Sequence, residues 1–323
     1  MSKKILLKLL LVAFVFSATQ TIEAQKKKKK GKKGASAVAA PKPRPKKGAI
    51  LPYNKVITKK AKTDKGLFDV HKIDEKYFYE IPDSLFEREM LMVTRIAKTA
   101  TGNGFGGGKT NTQVLRWQKK DKKVIVRVVS HNIYAADSLP IHEAVVNSNF
   151  EPVLYTFPIK AFKDSTATVI DATDLYQKDV KALGLPQGQR TAYRVTRLDN
   201  SKSFVESIKS YPLNIEARHV KTYSAGRPPS NNSTGTISVE MNNSMILLPK
   251  EPMKRRYFDQ RVGWFARGQV DYGQDAQESK VIRYLDRWRL EVKDEDIEKF
   301  KKGELVEPKK QIVYYIDLSL IHS

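Results

Sequence analysis

Cysteine does not occur among the 323 residues of the chain. Its absence excludes disulfide bonds, zinc sites with thiolate ligands and catalysis by a cysteine nucleophile. No apolar run approaches the roughly 18 residues of a membrane-spanning helix. With 40% hydrophobic and 29% charged residues, the composition is typical of a soluble globular protein with a core large enough to be stable without disulfides.

The first 24 residues have the pattern of a secretory signal. Lys3 and Lys4 provide a positive start, residues 9–16 are apolar, and Ala24 precedes a suitable cleavage point before Gln25. An apolar run of this length is too short to cross a bilayer as a helix. The pattern predicts that residues 1–24 are removed and that the mature protein, without a transmembrane segment, is periplasmic or extracellular.

Residues 25–50 are mainly Lys, Gly, Ala and Pro, so they offer almost no apolar side chain to a core. Between residues 25 and 48 there are eleven cationic side chains and no acids, and the whole chain has a net charge of +24. This composition predicts a disordered arm. The arm is either a solvated spacer or a segment that binds anionic envelope surfaces, and nucleic acid is not an expected partner of an exported protein. If the arm binds anionic surfaces, the lysines that would do so are Lys26, Lys27, Lys28, Lys29, Lys30, Lys32 and Lys33.

Beyond the arm, short apolar segments alternate with turn signals. Residues 113–118 and 124–129 are strand-like and flank Lys-Lys-Asp-Lys, which predicts a hairpin. Residues 237–241 alternate apolar and polar side chains, as in a half-buried strand. The only helical candidates are residues 170–181 and 201–210. We expect an α+β fold, mainly antiparallel β, sandwich-like or a partly open barrel, with a few short helices.

Three motifs resemble known sites but lack a required feature. The glycine-rich residues 104–110 end in Gly-Lys-Thr like a phosphate-binding loop, yet a strand-like segment follows instead of a helix. His142 and Glu143 begin like the zinc signature His-Glu-x-x-His, but Val146 stands where the second His is needed. The acidic group Asp271, Asp275 and Glu278 lacks the ligand order of a calcium loop. We therefore predict no catalytic residue, no metal site and no cofactor in this chain.

Residues 254–289 combine many arginines with aromatic residues. Charge and stacking together would suit a polyanion or a protein partner. Strand alternation, with arginines outside and aromatics inside, explains the same pattern. Both interpretations stay open. The candidate surface residues are Arg255, Arg256, Arg261, Trp264, Arg287 and Trp288.

An ordered series of motifs runs along the chain. The later ones are Asp-Gln-Arg-Val-Gly-Trp-Phe at 259–265, Tyr-Leu-Asp-Arg-Trp-Arg-Leu-Glu at 284–291 and Ile-Val-Tyr-Tyr-Ile-Asp at 312–317, and the earlier ones lie at 53–57, 66–68, 79–82 and 90–96. The series resembles the N-terminal, pre-catalytic region of the large secreted zinc-dependent metalloproteases of Gram-negative bacteria. In that family a metzincin-like domain carries His-Glu-x-x-His and the zinc. The resemblance therefore implies that zinc belongs to a protease domain missing here, and no catalytic residue is carried over.

The resemblance implies a division of the chain and a role. We expect a short opening domain at 51–98, a β-rich domain at 99–291, and a linker with the first strand of the missing protease domain at 292–317. Residues 318–323 are expected to be an artefactual tail. The expected role is that of a prodomain or an accessory, substrate-recognising module that contacts the protease domain in cis. The alternative is a stand-alone envelope protein that binds anionic surfaces through its polybasic arm.

Deletion of residues 25–48 tests that alternative. If the arm binds anionic surfaces, the protein should sediment with phosphatidylglycerol vesicles at low salt and be released as salt screens the charges. The deletion variant should stay in the supernatant under both conditions. Vesicle binding that survives the deletion would contradict a role for the arm.

Overall fold

The computed structural model describes residues 49–230, 232–274 and 278–314. The helices in these ranges are α1 (Tyr53–Val56), α2 (Ile141–Ser148), α3 (Thr173–Gln177), α4 (Gln187–Ala192) and α5 (Ile297–Lys301). The strands are β1 (Lys62–Asp64), β2 (Asp69–Ile73), β3 (Lys76–Pro82), β4 (Glu89–Lys98), β5 (Lys109–Lys120), β6 (Lys123–Val129), β7 (Ile133–Tyr134), β8 (Val153–Lys163), β9 (Ala167–Asp171), β10 (Val195–Leu198), β11 (Phe204–Ser210), β12 (Asn214–Ala225), β13 (Thr236–Leu247), β14 (Ala266–Asp271) and β15 (Lys280–Leu285).

Most strands belong to one large antiparallel sheet. Its order is β1-β2-β3-β9-β8-β6-β5-β4-β13-β12-β10, and β11 pairs with the other half of the β12 edge. Strand β4 lies between β5 and β13, with Met92 opposite Gln113 on one side and Met245 on the other. The expected fold class, mainly antiparallel β with a few short helices, is confirmed in the form of a nearly closed, barrel-like sheet.

Hydrogen bonds around Ser210 bring the two ends of the sheet together. The backbone N–H of Leu67 donates to the carbonyl of Tyr211 at 2.7 Å, and the Ser210 hydroxyl donates to the carbonyl of Phe68 at 2.7 Å. The Ser210 N–H donates to the Asp64 carboxylate at 3.0 Å. A Cβ at Gly66 would lie 2.5 Å from the Ser210 hydroxyl oxygen, so the close approach requires glycine there.

Large aromatic side chains fill the interior of the sheet. The ring of Trp117, on β5, lies 5.5 Å from that of Phe68 and 5.7 Å from that of Phe157. Tyr79 contacts Phe68 edge-on, and its hydroxyl lies 2.7 Å from that of Tyr176 on α3. All five side chains are buried, and burial of one such side chain stabilises a fold by roughly 1.5–3 kcal/mol. The cluster therefore holds α3 against the inner face of the strands.

The turn and loop predictions have mixed outcomes. The hairpin is confirmed, because β5 and β6 pair through Lys120 and Lys123. The glycine-rich residues 102–108 connect β4 to β5, and Lys109 begins a strand. The predicted helix at 201–210 is wrong, since residues 204–210 form β11 and pair with β12 along most of their length. The predicted helix at 170–181 is wrong at its start, because residues 167–171 pair with β3 and β8.

A smaller sheet has the order β15-β14-β7. Strands β14 and β15 form an antiparallel pair, and β7 runs parallel to β14 with Ile133 opposite Val270. Because β7 follows directly after β6, the small sheet is connected to the wall of the large one. Residues 311–314 pair with no described strand, and residues 315–317, the end of the segment predicted to contain the first protease strand, lie outside the described residues.

Within the ranges that the structure describes, no helix has both the length and the apolar character needed to cross a bilayer.

Candidate functional site

Three segments near β14 and β15 are neighbours in space. The N–H of Leu285 donates to the carbonyl of Arg256 at 2.9 Å, and that of Asp286 donates to the carbonyl of Phe265 at 2.8 Å. The N–H of Lys309 donates to the carbonyl of Glu291 at 2.7 Å. Residues 256–265, 283–292 and 308–314 therefore lie side by side.

The aromatic side chains of these segments are largely exposed. Phe265 is 88% exposed, Tyr314 75% and Tyr257 69%, while Trp264 and Trp288 are about half exposed. The ring of Trp288 meets that of Tyr314 edge-on at 6.3 Å. We refer to Tyr257, Trp264, Phe265, Trp288 and Tyr314 as the aromatic surface. Large exposed apolar side chains on neighbouring segments make this region a candidate contact site for another protein.

The arginines of the same region are mostly engaged in local contacts. Arg255 lies over the rings of Tyr134 and Tyr284, at 5.5 and 5.0 Å from their centroids. Arg261 donates to the carboxylate of Asp259 at 2.6 Å. Arg287 donates to the backbone carbonyl of Lys254 at 2.7 Å. Among the described residues, only Arg256 of the four predicted arginines has a side chain without a partner.

The sequence motifs predicted where this region lies in the chain but only some of the residues that belong to it. The predicted residues Arg256, Arg287 and Trp288 lie on the neighbouring segments, Arg255 immediately precedes them, and Arg261 and Trp264 lie in the loop that ends at Phe265. The contribution of Tyr314 was missed, because its proximity to Trp288 depends on the chain turning back after α5. Binding of a polyanion or partner by the six predicted residues stays a prediction.

Several other predicted features lie outside the described residues. These include the polybasic arm from Lys26 to Lys33 and Asp275 of the acidic group. No three His, Cys, Asp or Glu side chains in the described ranges lie close enough together to hold one metal ion. No described residue is therefore assigned to zinc. His142 lies at the start of α2, where its Nδ1 is 3.0 Å from the carbonyl oxygen of Ala135.

A buried carboxylate joins α1, β2, β3 and β8. Glu80 accepts hydrogen bonds from the Tyr53 hydroxyl at 2.6 Å and from Lys163 at 2.5 Å, and it lies 3.1 Å from His71 Nε2. Burial alone would raise the pKa of Glu80, but the hydrogen bonds from His71, Lys163 and Tyr53 outweigh it and lower the pKa to about 2. Since both carboxylate oxygens are engaged by side chains of other structural elements, this cluster holds those elements together.

A cleft of about 690 Å³ lies between the beginnings of β5 and β8 and residues 178–190. Arg190, on α4, donates to both oxygens of Asp179 at 2.9 and 2.5 Å and to the carbonyl of Leu185 at 2.8 Å. Its guanidinium lies 4.7 Å from the ring centroid of Tyr223. The hydrogen bond from Arg190 lowers the pKa of Asp179. The ion pair therefore fixes the wall of the cleft, and each of the three guanidinium nitrogens of Arg190 already donates a hydrogen bond.

Two basic side chains of β12 are buried beneath this wall. The ammonium of Lys221 donates to the carbonyl of Lys178, and burial lowers the pKa of Lys221 to about 8. His219 has no hydrogen-bond partner for either ring nitrogen among the described residues and packs 5.4 Å from the ring of Tyr176. Burial and, to a lesser extent, the charge of Lys221 lower the pKa of His219 to about 3. His219, Lys221 and Tyr223 occupy every second position of β12 and therefore share one face of the strand. This spacing is visible in the sequence.

The structure thus defines a β-rich module with an outward aromatic surface and a separate interior cleft. Residues 107–293 match the family described as Domain of unknown function (DUF5117), and residues 50–99 match the one described as Domain of unknown function (DUF5118). The first match covers more than half of the chain, so this chain belongs to the DUF5117 family. No curated protein and no solved structure matches it.

Because His219 is buried in its neutral form, we predict that the protein loses stability as the pH falls. Because the folded-state pKa is about 3 and the unfolded value is near 6.5, the unfolded chain binds the extra proton as pH falls below 6.5. Between pH 7 and pH 5, His219 should therefore remove about 2 kcal/mol from the free energy of unfolding. In denaturant titrations, His219→Phe should lose less stability over this interval than the unchanged protein.

His131→Phe serves as a control of opposite sign. The hydrogen bond that His131 donates to the Glu89 carboxylate raises the pKa of His131, so this histidine stabilises the fold below its unfolded pKa and loses that effect as pH rises. Its removal should therefore increase the loss of stability between pH 7 and pH 5. An identical pH dependence in His219→Phe and the unchanged protein would show that His219 is protonated or hydrated in the folded state.

Proposed function

We propose that this chain is the non-catalytic N-terminal region of an exported zinc-dependent metalloprotease, and that its aromatic surface packs against the protease domain in cis. The observation that carries the proposal is the aromatic surface itself. Its three segments contain the motifs at 259–265, 284–291 and 312–314 that resemble the metalloproteases. Segments that are distant in sequence but similar to one family are therefore neighbours in space and carry exposed aromatic side chains.

The energetics of exposure favour a protein partner for this face. Burial of apolar area stabilises a complex by roughly 25 cal/mol per Å² before the costs of association. Tyr, Trp and Phe are enriched at the cores of protein interfaces, whereas charged residues are depleted there. Phe265, Tyr314 and Tyr257 are each more than two-thirds exposed, so a partner that covers them gains apolar contact that the isolated chain lacks.

A polyanion is less well supported as the partner. Arg261 already has a carboxylate partner, and Arg255 and Arg287 already donate to neutral groups of this chain. An incoming phosphate or sulfate would have to displace these contacts, which reduces the net gain from each arginine. The contacts therefore favour an apolar protein surface over a nucleic acid or an acidic polysaccharide.

Two roles are compatible with such a docked module. A prodomain would cover the catalytic cleft, and without cysteine it would have to do so with a carboxylate or by steric cover. An accessory module would leave the cleft open and bind substrate or the cell surface. Zinc would be held by the protease domain, and the residues described here contribute no step of peptide hydrolysis.

Sequencing of the gene beyond the codon for Asp317 provides the partner for the test. If the frame encodes His-Glu-x-x-His, that domain can be produced separately and its affinity for residues 25–317 measured by calorimetry. The variant Phe265→Ser, Trp288→Ser should bind about tenfold or more weakly, because it removes two exposed aromatic anchors. Phe105→Ser is the matched control, since Phe105 is 96% exposed in the glycine-rich loop and should not alter binding.

The outcomes separate the proposal from its rivals. A frame without His-Glu-x-x-His, or equal affinity of the double variant and the control, would contradict it. If the complex forms and hydrolysis of a peptide substrate stops, the module is a prodomain. If hydrolysis continues in the complex, it is an accessory module.

A further inference from the structure

Strand β5 has an open edge at its beginning. It pairs with β4 from Lys109 to Arg116, but its pairing with β6 starts only at Val114. No described strand pairs with residues 109–113 on the side away from β4. Since successive backbone groups of a strand point alternately to its two sides, this edge presents unpaired N–H and C=O groups.

The open edge borders the interior cleft. Thr110, Asn111 and Gln113 line one wall of its 690 Å³, the start of β8 lines the second, and residues 178–190 line the third. The side chains of Asn111 and Gln113 have the same parity along β5 as the buried Leu115 and Trp117, so they point to the inside of the sheet. The cleft therefore combines a strand edge with amide side chains and has room for a short chain segment.

A row of hydrogen bonds across the sheet stops at this cleft. Asn243 donates to the Thr94 hydroxyl at 2.9 Å, and that hydroxyl donates to the carbonyl of Ala182. Asn111 is the residue opposite Thr94 on β5, yet its Oδ1 is buried without a hydrogen-bond partner among the described residues. A buried acceptor without a donor is unfavourable, so the row of hydrogen bonds is incomplete beside the cleft.

The charges around the cleft favour an acidic ligand. Lys181 is exposed and has no ionic partner in the described part of the chain, while the single carboxylate of the lining, Asp179, is paired with Arg190. Lys178, also in the lining, forms only an exposed pair with Asp174. The polybasic arm at 25–48 has no acid, so charge disfavours this segment of the same chain as the occupant.

We propose that the cleft binds an extended acidic peptide, which adds as a short strand to residues 109–113. Main-chain hydrogen bonds to the open edge supply affinity, and an acidic side chain faces Lys181. Five residues of extended chain span about 16 Å. The inference does not depend on a protease domain, and its site shares no residue with the aromatic surface.

Fluorescence polarisation with a defined probe tests the inference. The probe is a fluorescein-labelled heptapeptide of Val and Thr with a central Glu, added to the protein comprising residues 25–323. Lys181→Glu should weaken its binding by about fivefold or more at low salt. Lys60→Glu is the matched control, because Lys60 is exposed in the turn before β1, outside the cleft lining, and should leave binding unchanged.

Two further measurements make the result decisive. Amide hydrogen exchange at residues 109–113 should slow when the probe binds, and a probe with N-methylated alternate residues should not bind, because it cannot add as a strand. No binding at millimolar probe, or equal binding of the N-methylated probe, would overturn the inference. Displacement of the probe by a neutral oligosaccharide but not by unlabelled peptide would assign the cleft to glycans instead. Failure of this test would leave the docking experiment with the protease domain unaffected.

Discussion

The pairing of β4 with both β5 and β13 is the constraint on which the rest of the structure depends. Residues 50–99 and 107–293 match different families, but β4, the last strand of the first segment, lies inside the sheet formed by the second. Without β4, the open edges of β5 and β13 would face each other across a missing strand. Both Leu115 on β5 and Met245 on β13 would then lose their cross-strand neighbours on β4, Met90 and Met92.

Both candidate sites derive from this sheet in different ways. The chain leaves the sheet after β6 and returns at β8, and the excursion between them adds β7 to β14. The departure leaves the beginning of β5 without a partner, which opens the interior cleft. The attachment of β14 positions the small sheet and the aromatic surface beside it. The end of β6 at Val129 therefore affects both the interior cleft and the aromatic surface.

Much of the fold could be predicted from period-2 patterns, and the failures have physical causes. The hairpin of β5 and β6 was predictable because turn residues separate two apolar runs. Residues 201–210 have apolar side chains at Phe204, Val205 and Ile208, a spacing that also suits a helix. Pairing with β12 overrides that local preference. The position of β4 between β5 and β13 was not predictable, because nothing in a local pattern indicates which distant strands become neighbours.

The candidate sites show the same limit. The arginine and aromatic composition of 254–289 located the outer surface, but which side chains are free depends on contacts such as those of Arg255 with Tyr134, distant in sequence. The cleft was missed because no local sequence pattern indicates that Asn111 and Lys181 line the same cavity.

The dependence of both sites on one sheet is tested most directly by comparing residues 100–323 with residues 25–323 in denaturant titrations and amide hydrogen exchange. Without residues 49–99, the shorter protein should show no cooperative unfolding and no protected amides in β5 or β13. A cooperative transition with these amides protected would show that the second segment folds without β4.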